Sequence, residues 1–298
     1  MPQILTFTAN LLAETTYQFG DWKSATTQRA KSESFQVGGK GINVSKMLTR
    51  FGAYNEAICF PGGPYGAICL DWLKQNKFRV RSYPENCITR SGAVIRSERI
   101  SETTFLGLDS QVSTQAVEKC IADLSEHTNH FVLAICGKIQ DWEDSQWDSF
   151  RDFIQSRRTE CHLAVDTYGP ALKWLLNQKP ELVKINRSEL ESLAGDRAET
   201  STPDLIDALA QHHSVRDWII TNGAEEIWYK HKKAPSQSLA PPKTICVSAT
   251  GCGDVFFATT LNELYNKKSL SLENTIAKAA DYASRNAAKP TIAEFTLD

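Results

Sequence analysis

Short, largely apolar runs alternate along this chain with segments of helical periodicity, and that alternation limits the possible folds more than any other feature. Residues 4–9, 56–60, 131–136, 162–165, 181–185 and 217–221 are runs of strand length. Several lack the polar alternation of a half-exposed strand, which suits strands buried on both faces. Between them, residues 41–51 place Val44, Met47, Leu48 and Phe51 on one helical face, and residues 67–74 read as a second helix. Residues 254–266, with Phe257, Leu261 and Leu264 on one face, and residues 272–288 close the chain as helices. A βα rhythm of this kind predicts an α/β fold with a largely parallel sheet covered by helices on both sides.

Two stretches break the rhythm. Residues 15–36 and 89–106 are polar, β-prone and without helical period, and they read as extra strands of a small lid outside the main sheet. The stretch 230–243, rich in Pro, Lys and Ser, reads as a surface loop or hairpin. No repeat or low-complexity linker divides the 298 residues, so the expectation is one domain spanning 1–298 with the lid segments inserted. The apolar fraction of 41% supplies a sizeable core for it. A net charge of −2 argues against a surface devoted to nucleic acid or an anionic membrane, while leaving room for a local basic pocket. Eight cysteines are scattered through apolar segments with no CxxC or zinc spacing, which reads as reduced thiols. Met1-Pro2-Gln3-Ile4 opens no basic-then-apolar leader, and no apolar run nears the ~18 residues of a membrane span. A cytoplasmic protein is therefore expected.

Four motifs carry possible chemistry. Gly38-Gly39-Lys40-Gly41-Ile42-Asn43 precedes an amphipathic helix. Its glycines allow backbone amides to approach a ligand, although a plain glycine-rich turn would look the same. It is not a Walker A loop, because Lys40 is followed by Gly41. Ala249-Thr250-Gly251-Cys252-Gly253-Asp254 opens another helix, and its two glycines can aim consecutive N–H groups at one anion. Asp254 is then either a first-turn acid that favours the helix dipole or a base beside an anion hole. In Lys184-Ile185-Asn186-Arg187-Ser188-Glu189, the Asn186/Glu189 spacing favours a capping box. Ile219-Ile220-Thr221-Asn222-Gly223 by itself is a strand ending in a turn.

The order and spacing of these motifs resemble the ribokinase-like, phosphofructokinase B family of sugar kinases, in the branch of 1-phosphofructokinases and tagatose-6-phosphate kinases. Thr6-Phe7-Thr8-Ala9-Asn10, Thr27-Gln28-Arg29-Ala30-Lys31 and Gly41-Ile42-Asn43-Val44 are similar to that branch's N-terminal signature, and Asp166-Thr167-Tyr168-Gly169 to its central Asp-Thr-x-Gly. The resemblance runs from Thr6 to the C-terminal helices.

It implies a three-layer α/β/α kinase that moves the γ-phosphoryl group of ATP to a hydroxyl of a sugar phosphate of the fructose 1-phosphate, fructose 6-phosphate or tagatose 6-phosphate class. Asp254 would be the base, with Gly251, Cys252 and Gly253 as anion hole. Lys184, Thr221 and Gly223 would meet the nucleotide phosphates, and Asn186 and Glu189 would hold Mg²⁺ through water. Glu14, Gly39, Lys40 and Asn43 would line the sugar side. Arg29, Arg90 and Lys138, with Lys31 beside them, would meet the acceptor's phosphate. A homodimer through the lid is implied as well. The chain departs from the family pattern at Ser248 (usually Asp or Asn), Cys252 (usually Ala or Ser), the 136–140 turn and Asp109-Ser110 (usually Gly-Pro). These departures keep two alternatives in view: a non-catalytic sugar-phosphate-binding or regulatory protein on this fold, and a kinase of an unphosphorylated sugar.

Overall fold

The structure, a computed structural model, describes residues 2–21, 23, 25–98, 102–127, 129–156, 161–195, 200–268 and 271–297. Met1, Trp22, Ser24 and residues 99–101, on which parts of the leader and lid readings fall, lie outside the described residues. In chain order the strands are β1 (Gln3–Thr8), β2 (Leu12–Gln18), β3 (Ser32–Gly38), β4 (Asn55–Cys59), β5 (Val80–Ser82), β6 (Arg90–Arg96), β7 (Thr103–Leu106), β8 (Phe131–Cys136), β9 (Cys161–Asp166), β10 (Leu182–Asn186), β11 (Asp217–Thr221), β12 (Ile227–His231) and β13 (Gln237–Leu239). The helices are α1 (Lys40–Arg50), α2 (Gly63–Gln75), α3 (Thr114–Ser125), α4 (Asp148–Ser156), α5 (Gly169–Leu176), α6 (Arg187–Ala194), α7 (Thr202–His212), α8 (Cys252–Leu261) and α9 (Leu272–Ala287).

Among the described residues, nine strands form one sheet in the order β13-β12-β11-β10-β9-β8-β1-β4-β5. The pairs from β11 to β5 are parallel, and β12 and β13 add an antiparallel hairpin at one edge, which settles the 230–243 stretch as a hairpin. Alternate strand residues serve opposite faces. Leu5, Phe7, Leu133 and Ile135 pack against α3 to α7, while Ile4, Val132 and Ala134 pack against α1, α8 and α9. The result is the helix–sheet–helix layering that the alternation predicts. Phe7 anchors the first face, its ring 4.6 Å from Phe150 and 6.2 Å from Trp147.

One helix departs from its expected form. α8 starts at Cys252, Asp254–Leu261 are buried on every side, and a π-helical turn, Asn262–Asn266, follows. The single apolar face expected over 254–266 is thus corrected: a helix apolar all round belongs to an interior, here between the sheet, α1 and α9.

The remaining strands form the small sheet β3-β2-β6-β7. It begins at Leu12 rather than at residue 15, because Leu12 and Ala13 are buried as the chain leaves β1. β1, β8, β9, β10 and β11 end at Thr8, Cys136, Asp166, Asn186 and Thr221, all on one edge of the large sheet. The winding reverses at β1, with β4 and β5 on one side and β8 to β11 on the other. In an open parallel sheet, the crevice outside the carboxyl ends at such a reversal is the usual ligand site.

Candidate active site

The crevice is built from the starts of α1, α6 and α8 and the ends of β1, β8, β9, β10 and β11. Gly251 turns the chain into α8 at φ 75°, and a Cβ there would lie 2.6 Å from the Ile292 side chain, so only glycine fits. Asp254 follows in the first turn of α8 and is buried. Its Oδ2 accepts a 2.7 Å hydrogen bond from Nδ2 of Asn43, the sole side-chain partner among the described residues. Asn43 comes from the first turn of α1. Gly39 caps that helix at φ 107°, where a Cβ would lie 2.8 Å from the Thr8 side chain.

Lys40 shares that turn of α1 with Asn43. Its Nζ lies 2.8 Å from Asp166 Oδ1 and 3.1 Å from Glu189 Oε1. The other Asp166 oxygen lies 3.0 Å from Nζ of the buried Lys184. A Cβ on Gly253 would stand 2.8 Å from the same Nζ, so Lys184 lies against the 251–253 turn. Asn186 and Glu189 form a complete capping box: Glu189 N donates to Asn186 Oδ1 at 2.8 Å, and Asn186 N donates to Glu189 Oε2 at 2.9 Å. The cap expected from their spacing is therefore present, and Glu189 binds Lys40 as well.

These charges set the site's protonation. Burial, then the nearby Asp166 charge, push Asp254 up to about 6, against the pull of Lys40, Asn43 and Lys184. Burial acts on Asp166 in the same direction, but Lys184 and Lys40 outweigh it and hold that carboxyl below its usual range. Lys40 is lowered by burial yet ends above the usual lysine value, because Asp166, Glu189 and Asp254 surround it. Two carboxylates in one site thus differ: Asp166 stays ionised, while Asp254 can exchange a proton near neutrality.

On one side of the charge cluster, a cleft of about 550 Å³ is lined by Asn186, Ser188, Thr221 and Gly223. On the other side stands the small sheet. Glu14 is buried on β2, where Gln36 donates to it, and burial raises its pKa. Arg90 opens β6, and its Nη1 lies 2.8 Å from Asp109 Oδ1. Lys138, just past β8, reaches Asp109 Oδ2 at 2.6 Å. Asn10, just past β1, donates to Asp109 Oδ1 at 2.6 Å. Arg90 and Lys138 are thus together as expected. Arg29 and Lys31 are not. Arg29 is exposed in the 19–31 connection and shares no hydrogen bond or ion pair with this cluster among the described residues, and Lys31 pairs at the surface with Glu98 at 2.8 Å.

Four residues of the crevice went unassigned from sequence: Asp166, Asn10, Asp109 and Glu102. A charge at the end of a wholly buried strand was the available signal for Asp166. Glu102 accepts from Arg96 at 2.7 Å, from Ser248 Oγ at 2.8 Å and from Thr250, which ties the small sheet to the turn before Gly251. No local pattern announces that contact. Among the described residues there is no group of three or more His, Cys, Asp or Glu able to hold a metal ion, and no helix is long and apolar enough to cross a membrane.

Comparison with known proteins agrees with this fold. Residues 8–294 match the model of the pfkB family of carbohydrate kinases. A tagatose-6-phosphate kinase of Staphylococcus epidermidis is 24% identical, over 99% of this chain and 95% of that one. Phosphofructokinase-2 from Escherichia coli, solved with substrates and products, superposes with a TM-score of 0.84 at 20% identity, covering 96% of this chain and 93% of that one. Ribokinase from Thermotoga maritima superposes with a TM-score of 0.76 at 14% identity, covering 98% and 95%. The fold is thus ribokinase-like. With a family match along nearly its whole length, the chain belongs to the pfkB family of carbohydrate kinases, phosphotransferases that use ATP to phosphorylate an alcohol group.

Proposed function

We propose that this enzyme transfers the γ-phosphoryl group of ATP to a hydroxyl of a sugar phosphate of the fructose 1-phosphate, fructose 6-phosphate or tagatose 6-phosphate class. The observation that carries the reading is Asp254: a buried carboxylate with one oxygen fixed by Asn43, at the start of a helix entered through Gly251-Cys252-Gly253. Asp254 Oδ1 takes the proton of the acceptor hydroxyl. The acceptor oxygen bonds to the γ-phosphorus, the bond to the bridging oxygen breaks, and ADP leaves. The start of α8, with Lys184 and Lys40 close by, favours the charge that develops on the transferred group. The cleft at Asn186, Thr221 and Gly223 suits the nucleotide.

Mg²⁺ supplies charge neutralisation of the phosphates when it is bound with the nucleotide. Glu189 and Asn186 fit it through water, since each Glu189 oxygen already accepts a bond, one from Lys40 and one from Asn186. Glu14, Gly39 and Asn43 face the sugar. The eight cysteines, none of them paired, support a reducing, cytoplasmic setting.

Arg90 and Lys138 bind the acceptor's phosphate in this reading, which the name of the staphylococcal relative supports. Arg90→Ala should raise KM for the sugar phosphate ten-fold or more, about 1.4 kcal/mol, with KM for ATP little changed. Steady-state kinetics with each substrate varied in turn checks this, and an unchanged acceptor KM contradicts it. One observation favours the alternative of an unphosphorylated sugar: Asp109 already pairs with both cations. Turnover of a sugar set beside its phosphate decides between the two.

The small sheet supports a homodimer. One of its faces holds a cleft of about 360 Å³ lined in part by Tyr17, Phe35 and Phe105, and Phe105 and Leu106 are 60% and 52% exposed. A second copy would cover this face and its open edges. Light scattering should give two chains per particle at micromolar concentration, and one chain per particle would exclude this assembly.

A further inference from the structure

We infer that Asp109 is a specificity-determining residue: its carboxylate stands in for the acceptor's phosphate between Arg90 and Lys138, and an incoming phosphate must displace it. The inference rests on the assignment of those two cations to the acceptor. Asp109 belongs to none of the motifs that mark the family, since Asp109-Ser110 replaces its usual Gly-Pro.

The geometry is that of an anion site with an anion in it. Both carboxylate oxygens are used, Oδ1 by Arg90 and Asn10 and Oδ2 by Lys138. The donors come from three separate parts of the chain, the ends of β1 and β8 and the start of β6, and Asp109 itself from the segment after β7. Asn10 also accepts from Ser110 N at 3.1 Å, and Ser110 Oγ accepts from Arg90 N at 2.9 Å, so the cluster is held on its own frame. The carboxylate is nevertheless an incomplete match for the cations. Arg90 spends one nitrogen of its fork on Asp109, and its Nε is buried with no hydrogen-bond partner among the described residues. A guanidinium binds two oxygens of one oxyanion side by side. A phosphate has a third terminal oxygen left for Lys138, whose side chain is 40% exposed and free to follow.

Charge points the same way. Two cations and one carboxylate leave a single positive charge to face a doubly charged phosphate ester. The pocket therefore discriminates against free phosphate and other small anions, which bring nothing to offset the displaced carboxylate. A sugar phosphate brings hydroxyls for Glu14 and Asn43 as well. Phosphate affinity is held down by Asp109, and the rest of the acceptor makes up the difference.

The test is calorimetric titration of inorganic phosphate into the wild-type protein, Asp109→Asn and Glu98→Gln, alongside acceptor kinetics. Asn keeps the shape of the side chain and one acceptor oxygen. Glu98→Gln removes one negative charge from the segment after β6, outside the pocket. Asp109→Asn should bind phosphate at least ten-fold more tightly than wild type and lower KM for the sugar phosphate by a similar factor, while Glu98→Gln matches wild type. Equal or weaker phosphate binding by Asp109→Asn overturns the inference, as does an equal gain in Glu98→Gln. Should Asp109→Asn not fold, Asp109→Ser carries the same comparison. Tighter phosphate binding with no turnover of any sugar phosphate supports the role of Asp109 and overturns the acceptor assignment, so the two failures are distinguishable.

Discussion

Asp254→Asn is expected to lower kcat by about 10²–10⁴-fold and, in the same variant, to raise the stability of the fold. The loss of rate follows from removing the proton acceptor while keeping its shape. Asn43 can still donate to the amide oxygen, so the start of α8 stays in place, and nucleotide affinity should change little. The gain in stability follows from the same burial that tunes the group. Asp254 titrates near 6 in the folded chain, above its value in the unfolded one. The folded state therefore holds that proton more tightly, and the associated stability is present at low pH and lost as pH rises through about 6. Two pKa units correspond to about 3 kcal/mol, an upper bound on what the ionised carboxylate costs at pH 8. Wild type and variant should melt at similar temperatures near pH 4, diverge as pH rises toward 6 and keep a constant difference above it, the variant being the more stable. The wild-type rate should rise with pH through about 6 and level off, and the variant should lack that limb. A variant that keeps near-normal kcat would remove Asp254 from the chemistry. One that melts no higher than wild type at pH 8 would show that Lys40 and Lys184 fully offset the burial.

That coupling explains which parts of the site could be seen in advance. Gly251, Gly253 and Asp254 lie within four positions of one another, and local chemistry, a tight turn into a helix start, dictates all three. Asn186 and Glu189 are likewise a local matter, and their capping box forms as their spacing requires. The strands were legible because burial on both faces leaves a continuous apolar run. What was not legible depends on distant pairing. Asn43 meets Asp254 across 211 positions, and Lys40 meets Glu189 across 149. Lys40, placed on the sugar side by family resemblance, meets Asp166 and Glu189 in the charge cluster. Arg29 was chosen because Gln28-Arg29 resembles a family motif in the first lid segment, and it is exposed in the connection between β2 and β3. Helix α8 was misjudged for a related reason: a helix covered by α1, α9 and the sheet has no polar face to set its period.

Lys184→Met is the variant expected to perturb the fold most. Lys184 and Asp166 are both buried, with side chains 4% and 0% exposed, and they face each other at 3.0 Å. Methionine fills a similar volume, so the main effect is electrostatic. Removing one partner of a buried pair costs about 3–5 kcal/mol, because the other charge is left without compensation. Lys40 remains on Asp166 Oδ1, which puts the expected loss at the lower end, about 3 kcal/mol. Chemical denaturation should show it as a lowered midpoint with an unchanged slope. The same substitution removes a positive charge that draws Asp254 down, so the acid limb of the rate profile should move above 6. The double variant Asp166→Asn/Lys184→Met distinguishes this from a packing defect. Neutralising Asp166 removes the uncompensated charge and should recover most of the lost stability, since a buried pair replaced at both ends is often close to neutral. It also removes the carboxylate that pushes Asp254 up, so the limb should move back toward lower pH. Recovery of neither stability nor profile would mean that Lys184 acts by filling space beneath Gly253 rather than by its charge.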